Sequence, residues 1–202
     1  MVKLIIVFVI AYLLGSINTS IIVGKIKSGK DIRNFGSGNA GATNTLRTFG
    51  KIAAVLVILG DVLKAVVSIL IAKLWLGEQI AMYVASVGVI LGHNFPVLFG
   101  FKGGKGIVVS AVACLFTDWR IGLPIVIVAL LIMFTTKYVS LGSILGACFM
   151  IVLGLIIRRP FDIEYTVFSC VVALLAIVMH RKNIVRLLKG TENKLSFSKG
   201  EK

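Results

Sequence analysis

Three polar stretches interrupt a largely apolar chain, and each carries residue types that hold anions. The first, RNFGSGNAGATNTLRTFG, runs from Arg33 to Gly50. Its glycines at 36, 38 and 41 allow close backbone approach to a ligand and can turn N–H groups towards it. Ser37, Asn39, Thr43 and Asn44 add neutral hydrogen-bonding groups. On a helix, Thr43 (four residues before Arg47) and Asn44 (three before it) share a face with that arginine. The planar guanidinium of Arg47 matches two phosphate oxygens at once. Gly38, Asn39, Thr43 and Asn44 are therefore expected to line a phosphate site. A flexible polar loop with an interfacial arginine is the alternative.

The second stretch, GFKGGKG, sets Gly103, Gly104 and Gly106 around Lys105, just ahead of an apolar segment. A glycine-rich lead into a helix presents unpaired N–H groups and the positive end of the helix dipole, and Lys105 adds a full charge. It is not the nucleotide-binding P-loop: Phe99 stands where that loop begins with glycine, and Gly106 replaces its Ser or Thr. Alternatively, Lys102 and Lys105 simply reach to a membrane interface. Just upstream, GHNFP places His93 and Asn94 ahead of a helix-breaking proline, where His93 either joins the recess or closes the helix end. The third stretch, HRKNIVRLLKGTEN, offers His180 and Asn183 one helical turn apart, with Arg186 one turn further. As a basic amphipathic helix it would also suit a membrane surface. The short KYVSLGS segment adds Ser140 and Ser143, which alone read as helix-end hydroxyls.

These residues must be carried by membrane-spanning helices. The chain of 202 residues is 58% hydrophobic and 15% charged, against roughly a quarter charged in soluble domains. Seven apolar runs stand out: Leu4–Gly24, Ile52–Ala72, Gln79–Phe101, Gly106–Thr117, Ile121–Thr136, Tyr138–Ile157 and Tyr165–Met179. An all-α integral membrane protein of seven transmembrane helices is expected, as one domain over residues 1–202. Asp61 and Lys64 interrupt the second run three residues apart, and pairing is expected because each alone costs about 2.5–3.5 kcal/mol at the bilayer centre. The connections after odd-numbered runs hold six, two, one and seven bases, sixteen in all, and the opposite face holds five. The excess of basic residues in cytoplasmic loops then places the N-terminus outside, and the C-terminus and all three polar stretches inside.

Net charge is +14, from 22 basic and 8 acidic residues. Because the bases cluster in short connections, anionic lipids or anionic substrates are the expected partners, and nucleic acid is not. Cys114, Cys148 and Cys170 lie singly in apolar runs and read as small buried hydrophobes. With two histidines and no acid near either, neither a metal nor a cofactor is expected. No internal repeat supports a transporter, and the polar clusters all fall on one face.

In this order AYLLGS, NFGSGNAGATNTLRTFG, DVLK, GHNFPVLFGFKGGKG, YVSLGS and HRKNIVRLLKGTEN span nearly the whole chain. It resembles the bacterial acyl-phosphate:glycerol-3-phosphate acyltransferases, the PlsY family. The resemblance implies a multi-pass enzyme of the bacterial cytoplasmic membrane with its active site on the cytoplasmic face. The implied reaction joins acyl phosphate to sn-glycerol 3-phosphate, giving 1-acyl-glycerol 3-phosphate (lysophosphatidic acid) and inorganic phosphate, the first acylation in phospholipid synthesis. Carried over by motif, the implied catalytic residues are Ser37, Arg47, Lys105, Ser143, His180 and Asn183. Related sequences read HREN where this one has HRKN, exchanging an acid for Lys182. The His-x4-Asp dyad of thioester-dependent glycerolipid acyltransferases is absent, since Leu98 and Val185 stand where the acid would be. An acyl phosphate is already activated, so direct attack without an acyl-enzyme is expected. Ser37 and Ser143 then act as donors, and the base is His180 or a substrate phosphate.

Overall fold

The computed structural model describes residues 1–195, and among these all regular structure is helical. Ten α-helices follow in order: α1 (Val2–Ser16), α2 (Thr19–Ser28), α3 (Ala42–Phe49), α4 (Lys51–Leu76), α5 (Gln79–Asn94), α6 (Ile107–Thr117), α7 (Trp119–Thr136), α8 (Val139–Ile157), α9 (Ile163–Met179) and α10 (Arg181–Leu188). Large apolar side chains such as Leu56, Leu63, Leu131, Phe134 and Leu174 face outwards, as a lipid-facing surface requires. Five stretches are long and apolar enough to cross a bilayer: Val2–Ser28, Lys51–Leu76, Gln79–Phe99, Trp119–Thr136 and Val139–Ile157. α9 and α10 make a sixth only as a pair, bent by 63°. α6, at 11 residues, is about 16 Å long, roughly half a hydrocarbon core. The seven runs expected from the sequence thus correspond to five or six helices of spanning length and one short one.

Two expected runs are broken, each for a local reason. The run Leu4–Gly24 divides at Ile17 and Asn18, where the Asn18 side chain accepts from Ile21 N at 3.1 Å and caps α2. The run Gln79–Phe101 stops being α-helix at Asn94, two residues before Pro96, which cannot donate to a continuing helix. A 3-10 turn, Val97–Phe99, follows. α5 is the central element, packed by α1, α4, α6 and α9. It meets α1 almost backbone to backbone: a Cβ at Gly92 would strike Tyr12 O, and one at Gly15 would strike the Val89 backbone. The Tyr12 hydroxyl donates to Phe95 O at 2.7 Å, pinning the end of α5 to α1.

The expected pairing inside α4 is present and extends further. Lys64 Nζ lies 2.9 Å from Asp61 Oδ1, and it donates to Gly15 O (3.2 Å) and Ile17 O (3.0 Å) at the α1–α2 break. His93 Nδ1, from the end of α5, is 2.9 Å from the same ammonium. At the opposite end of the bundle, Arg158 pairs with Asp118 and Asp162, both at 2.9 Å. Arg158 therefore adds little free positive charge to the face with fewer bases. Lys199 and Lys202, counted with the basic face, lie outside the described residues.

The base asymmetry carries a topological expectation. In a background with Cys114, Cys148 and Cys170 replaced by Ala, a membrane-impermeant thiol reagent should label Glu78→Cys in intact cells. It should spare Asn34→Cys until the membrane is opened. The reverse pattern would invert the orientation.

Candidate active site

The first polar connection is ordered by a buried asparagine. Asn44, in the first turn of α3, accepts from Ser37 N at 2.9 Å and donates to Phe35 O (2.9 Å) and Ile32 O (3.3 Å). Both ends of its amide are thus spent on backbone, and the side chain would collide with any Cβ at Gly36. The result is a tight loop that leaves Ser37 and Gly38 exposed. Beneath it, Ile32 and Ala40 pack with Ile21, Phe49 and Phe99. Thr43 and Arg47 both lie on α3 as expected. Arg47 is half-buried, and its guanidinium donates to Asn193 O (3.3 Å) and Lys194 O (3.4 Å) in the segment after α10.

The second polar connection returns along the end of α5. Gly103 N donates to Asn94 O and Gly104 N to His93 O, both at 3.1 Å. Gly106, with φ of 72°, then caps α6 in the left-handed region that favours glycine. The two connections are tied together by Arg33, which donates to Phe99 O (2.6 Å) and Lys102 O (3.1 Å) while pairing with Asp31.

The third stretch meets Lys105 directly: Lys105 Nζ donates to Asn183 Oδ1 at 2.6 Å. Asn183 Nδ2 donates in turn to Glu192 Oε1 at 2.6 Å. The same carboxylate accepts from Ser140 Oγ (2.9 Å) and, through Oε2, from Arg186 Nε (2.7 Å). His180 fills the bend between α9 and α10, almost fully buried, with Nδ1 2.8 Å from Ala176 O. A carbonyl only accepts, so the neutral ring carries its proton on Nδ1 and keeps a lone pair on Nε2. Arg47, Lys105, Asn183, Arg186 and His180 thus share one neighbourhood, although they span more than 130 positions of the chain.

A family model described as glycerol-3-phosphate acyltransferase matches residues 5–190. The chain belongs to the glycerol-3-phosphate acyltransferase family. A protein of that name from Thermoanaerobacter sp. (strain X514) is 46% identical over 187 residues, 93% of each chain. Another from Alkaliphilus metalliredigens is 44% identical over 189 residues, 94% of each. The crystal structure of PlsY, an integral membrane glycerol 3-phosphate acyltransferase, in its glycerol 3-phosphate form superposes with a TM-score of 0.88 at 35% identity, covering 96% of both chains. Its lysophosphatidic acid form gives 0.83 at 33% identity.

In this acyltransferase several of the expected site residues have partners within the protein. Asn44 spends both ends of its amide on the backbone of the loop around Ser37. The N–H groups of Gly103 and Gly104 are occupied by backbone carbonyls and do not point at an anion. His93 is buried in the ion cluster with Asp61 and Lys64. Ser143 donates to Val139 O at 2.8 Å, and Ser140, one turn earlier on α8, is the hydroxyl that reaches the third stretch. Asn39 lies partly buried beside Gly41. Lys182 is exposed. Glu192 stands at the hub of these contacts, and no motif points to it. Its one sequence signal is that it is the only acid between Arg181 and Lys199.

Charge sets the chemistry of the cluster. Burial pushes the Lys105 pKa down to about 8; the nearby Arg186 and Arg47 add to this, while Glu192 opposes it. Burial also lowers that of Arg47, with Glu192 opposing. Burial raises the pKa of the Glu192 carboxyl, but hydrogen bonds from Asn183, Arg186 and Ser140 outweigh it, so the group stays below its ordinary range. His180 is pushed down to about 4, by burial first and then by the Lys105 charge. The cluster therefore holds three cationic groups against one carboxylate, which leaves it ready for an anion. In the ligand-free protein, Lys105 should be charged below about pH 8 and lose its proton above it. Its acylation by acetic anhydride, followed by mass spectrometry against pH, should show a midpoint near 8. In Glu192→Gln, which removes the carboxylate opposing this shift, the midpoint should fall.

Proposed function

We propose that this protein transfers the acyl group of an acyl phosphate to the 1-hydroxyl of sn-glycerol 3-phosphate. The products are 1-acyl-glycerol 3-phosphate and inorganic phosphate. The observation that carries this reading is the joining of Lys105 to Asn183 beside Arg47, Arg186 and His180. Both substrates are anions, and this cluster has an excess of positive charge in a partly buried setting, where charge interactions are strong. The acyl tail belongs in lipid, so the enzyme works as a multi-pass protein of the bacterial cytoplasmic membrane, with this cluster at the cytoplasmic face and the short α6 counted as a seventh crossing.

The chemistry needs no covalent relay. The acceptor hydroxyl oxygen attacks the acyl carbonyl, the bond from that carbon to phosphate oxygen breaks, and the phosphate leaves with its electrons. Lys105 and Arg47 hold the phosphates and stabilise charge that gathers on the leaving group. Ser37, exposed on its loop, donates to substrate oxygens, and Asn183 orients the groups around Lys105. The hydroxyl proton passes to a substrate phosphate oxygen, because burial and the Lys105 charge disfavour a proton on His180. His180 Nε2 orients the hydroxyl by accepting its hydrogen bond.

Two measurements test this. Arg47→Lys keeps the charge but loses the two-pronged contact, and kcat/KM should fall tenfold or more, about 1.4 kcal/mol of transition-state stabilisation. Full activity would make Arg47 a surface charge only. Labelled acyl phosphate without acceptor should leave no covalent label on the protein. A trapped label that is lost in Ser37→Ala would replace direct transfer by an acyl-enzyme route.

A further inference from the structure

The buried ion cluster lies outside the reaction described above, yet it touches both polar connections. Gly104 is the meeting point. A Cβ there would collide with His93 Nε2 on one side and lie 2.6 Å from Ala40 O on the other. His93 belongs to α5, and Ala40 ends the loop that presents Ser37. Both walls trace back to the Asp61–Lys64 pair. His93 Nδ1 lies 2.9 Å from Lys64 Nζ and 3.4 Å from Asp61 Oδ1, so the ion pair holds one edge of the ring and Nε2, on the other, faces Gly104. Thr19 Oγ1 donates to Asp61 Oδ1 at 3.3 Å, which ties the pair to α2 as well. Lys64 also holds the free carbonyls of Gly15 and Ile17 at the α1–α2 break. That break sets Asn18, whose Nδ2 lies 3.5 Å from Ala40 O.

We propose that Asp61, Lys64 and His93 form a positioning triad for the acyl transfer. The imidazole, locked by the buried ion pair, is the prop on which Gly104 seats, and it sets where the next residue, Lys105, stands against Asn183. A purely stabilising pair would need neither the imidazole at its end nor a glycine pressed against that ring. None of the three touches substrate; they act through Lys105. This rests on the reaction proposed above, and its main readout is independent of turnover.

That readout is the acetic anhydride titration of Lys105. The groups facing Lys105 are Asn183, Arg186 and Glu192 from α10 and the turn after it, His180 from the α9–α10 bend, and Arg47 from α3. Two variants separate positioning from stability. His93→Asn keeps a hydrogen-bonding group beside the ion pair but removes the ring atoms that reach Gly104. The double variant Asp61→Leu/Lys64→Met replaces the ion pair by apolar side chains, an exchange that is often neutral or stabilising for a buried pair. In either variant, a Lys105 freed from its seat should regain solvent. Its midpoint should rise by one pH unit or more from about 8, and kcat/KM should fall tenfold or more. A midpoint still at about 8 in His93→Asn and in any double variant that folds overturns the proposal, whatever happens to turnover. Wild-type turnover is measured alongside: its absence would refute the reaction while leaving the Lys105 titration to judge the triad.

Discussion

An ammonium placed halfway along an apolar helix has to find acceptors, and this one demand organises the membrane-embedded half of the molecule. Lys64 cannot use the carbonyls of α4, which are already bonded within the helix. It takes Asp61 one turn away and two carbonyls released at the break between α1 and α2, which match its three N–H donors, and His93 closes the cluster. These acceptors come at a structural cost, a first span that breaks. The close glycine contacts between α1 and α5 bring those acceptors within reach. Removing one partner would leave the other buried and uncompensated, the situation in which buried pairs are most costly to disturb.

At the polar end of the bundle the problem is reversed. There the cations exceed the acids, and the fold must keep Arg47, Lys105 and Arg186 close without letting their repulsion spread them. Glu192 supplies the opposing charge, and besides Arg186 it draws in Asn183 and Ser140. One carboxylate cannot neutralise three cations, and that deficit makes the cluster receptive to phosphate. The carbonyls of Asn193 and Lys194, which receive the Arg47 guanidinium, are weaker acceptors than a phosphate dianion. In the proposed reaction they give way to it.

The positions of the glycines also have a physical account that differs from the first expectation. Gly103 and Gly104 are small because His93, Asn94, Pro96 and Ala40 crowd them, and their N–H groups close a return along α5. Their service is geometric: they let two connections from distant parts of the chain touch at Gly104 and Ala40.

Much was legible in the residues alone. The apolar runs follow from the free energy of placing charges in hydrocarbon, so the positions of the long apolar helices could be read directly, and so could the pairing of Asp61 with Lys64; the breaks at Asn18 and Asn94 and the separate short helices α2, α3 and α10 could not. The anion-binding character of the three polar stretches follows from side-chain chemistry, which does not change on folding. What the sequence could not show was partnership. Asn44 and Ser37 are seven residues apart, yet the asparagine is spent on backbone; His93 and Lys105 are twelve apart, yet the histidine turns away to an ion pair on another helix. Glu192 meets Ser140 across 52 residues and Asn183 across nine. Such contacts depend on which helix faces which, and that is decided by close packing over the whole bundle. The residues themselves determine that this protein sits in a membrane and carries its bases mostly in the connections between helices. Only the tertiary structure decides which cation meets which partner, because hydrogen bonds act over about 3 Å and the chain alone does not fix distances on that scale.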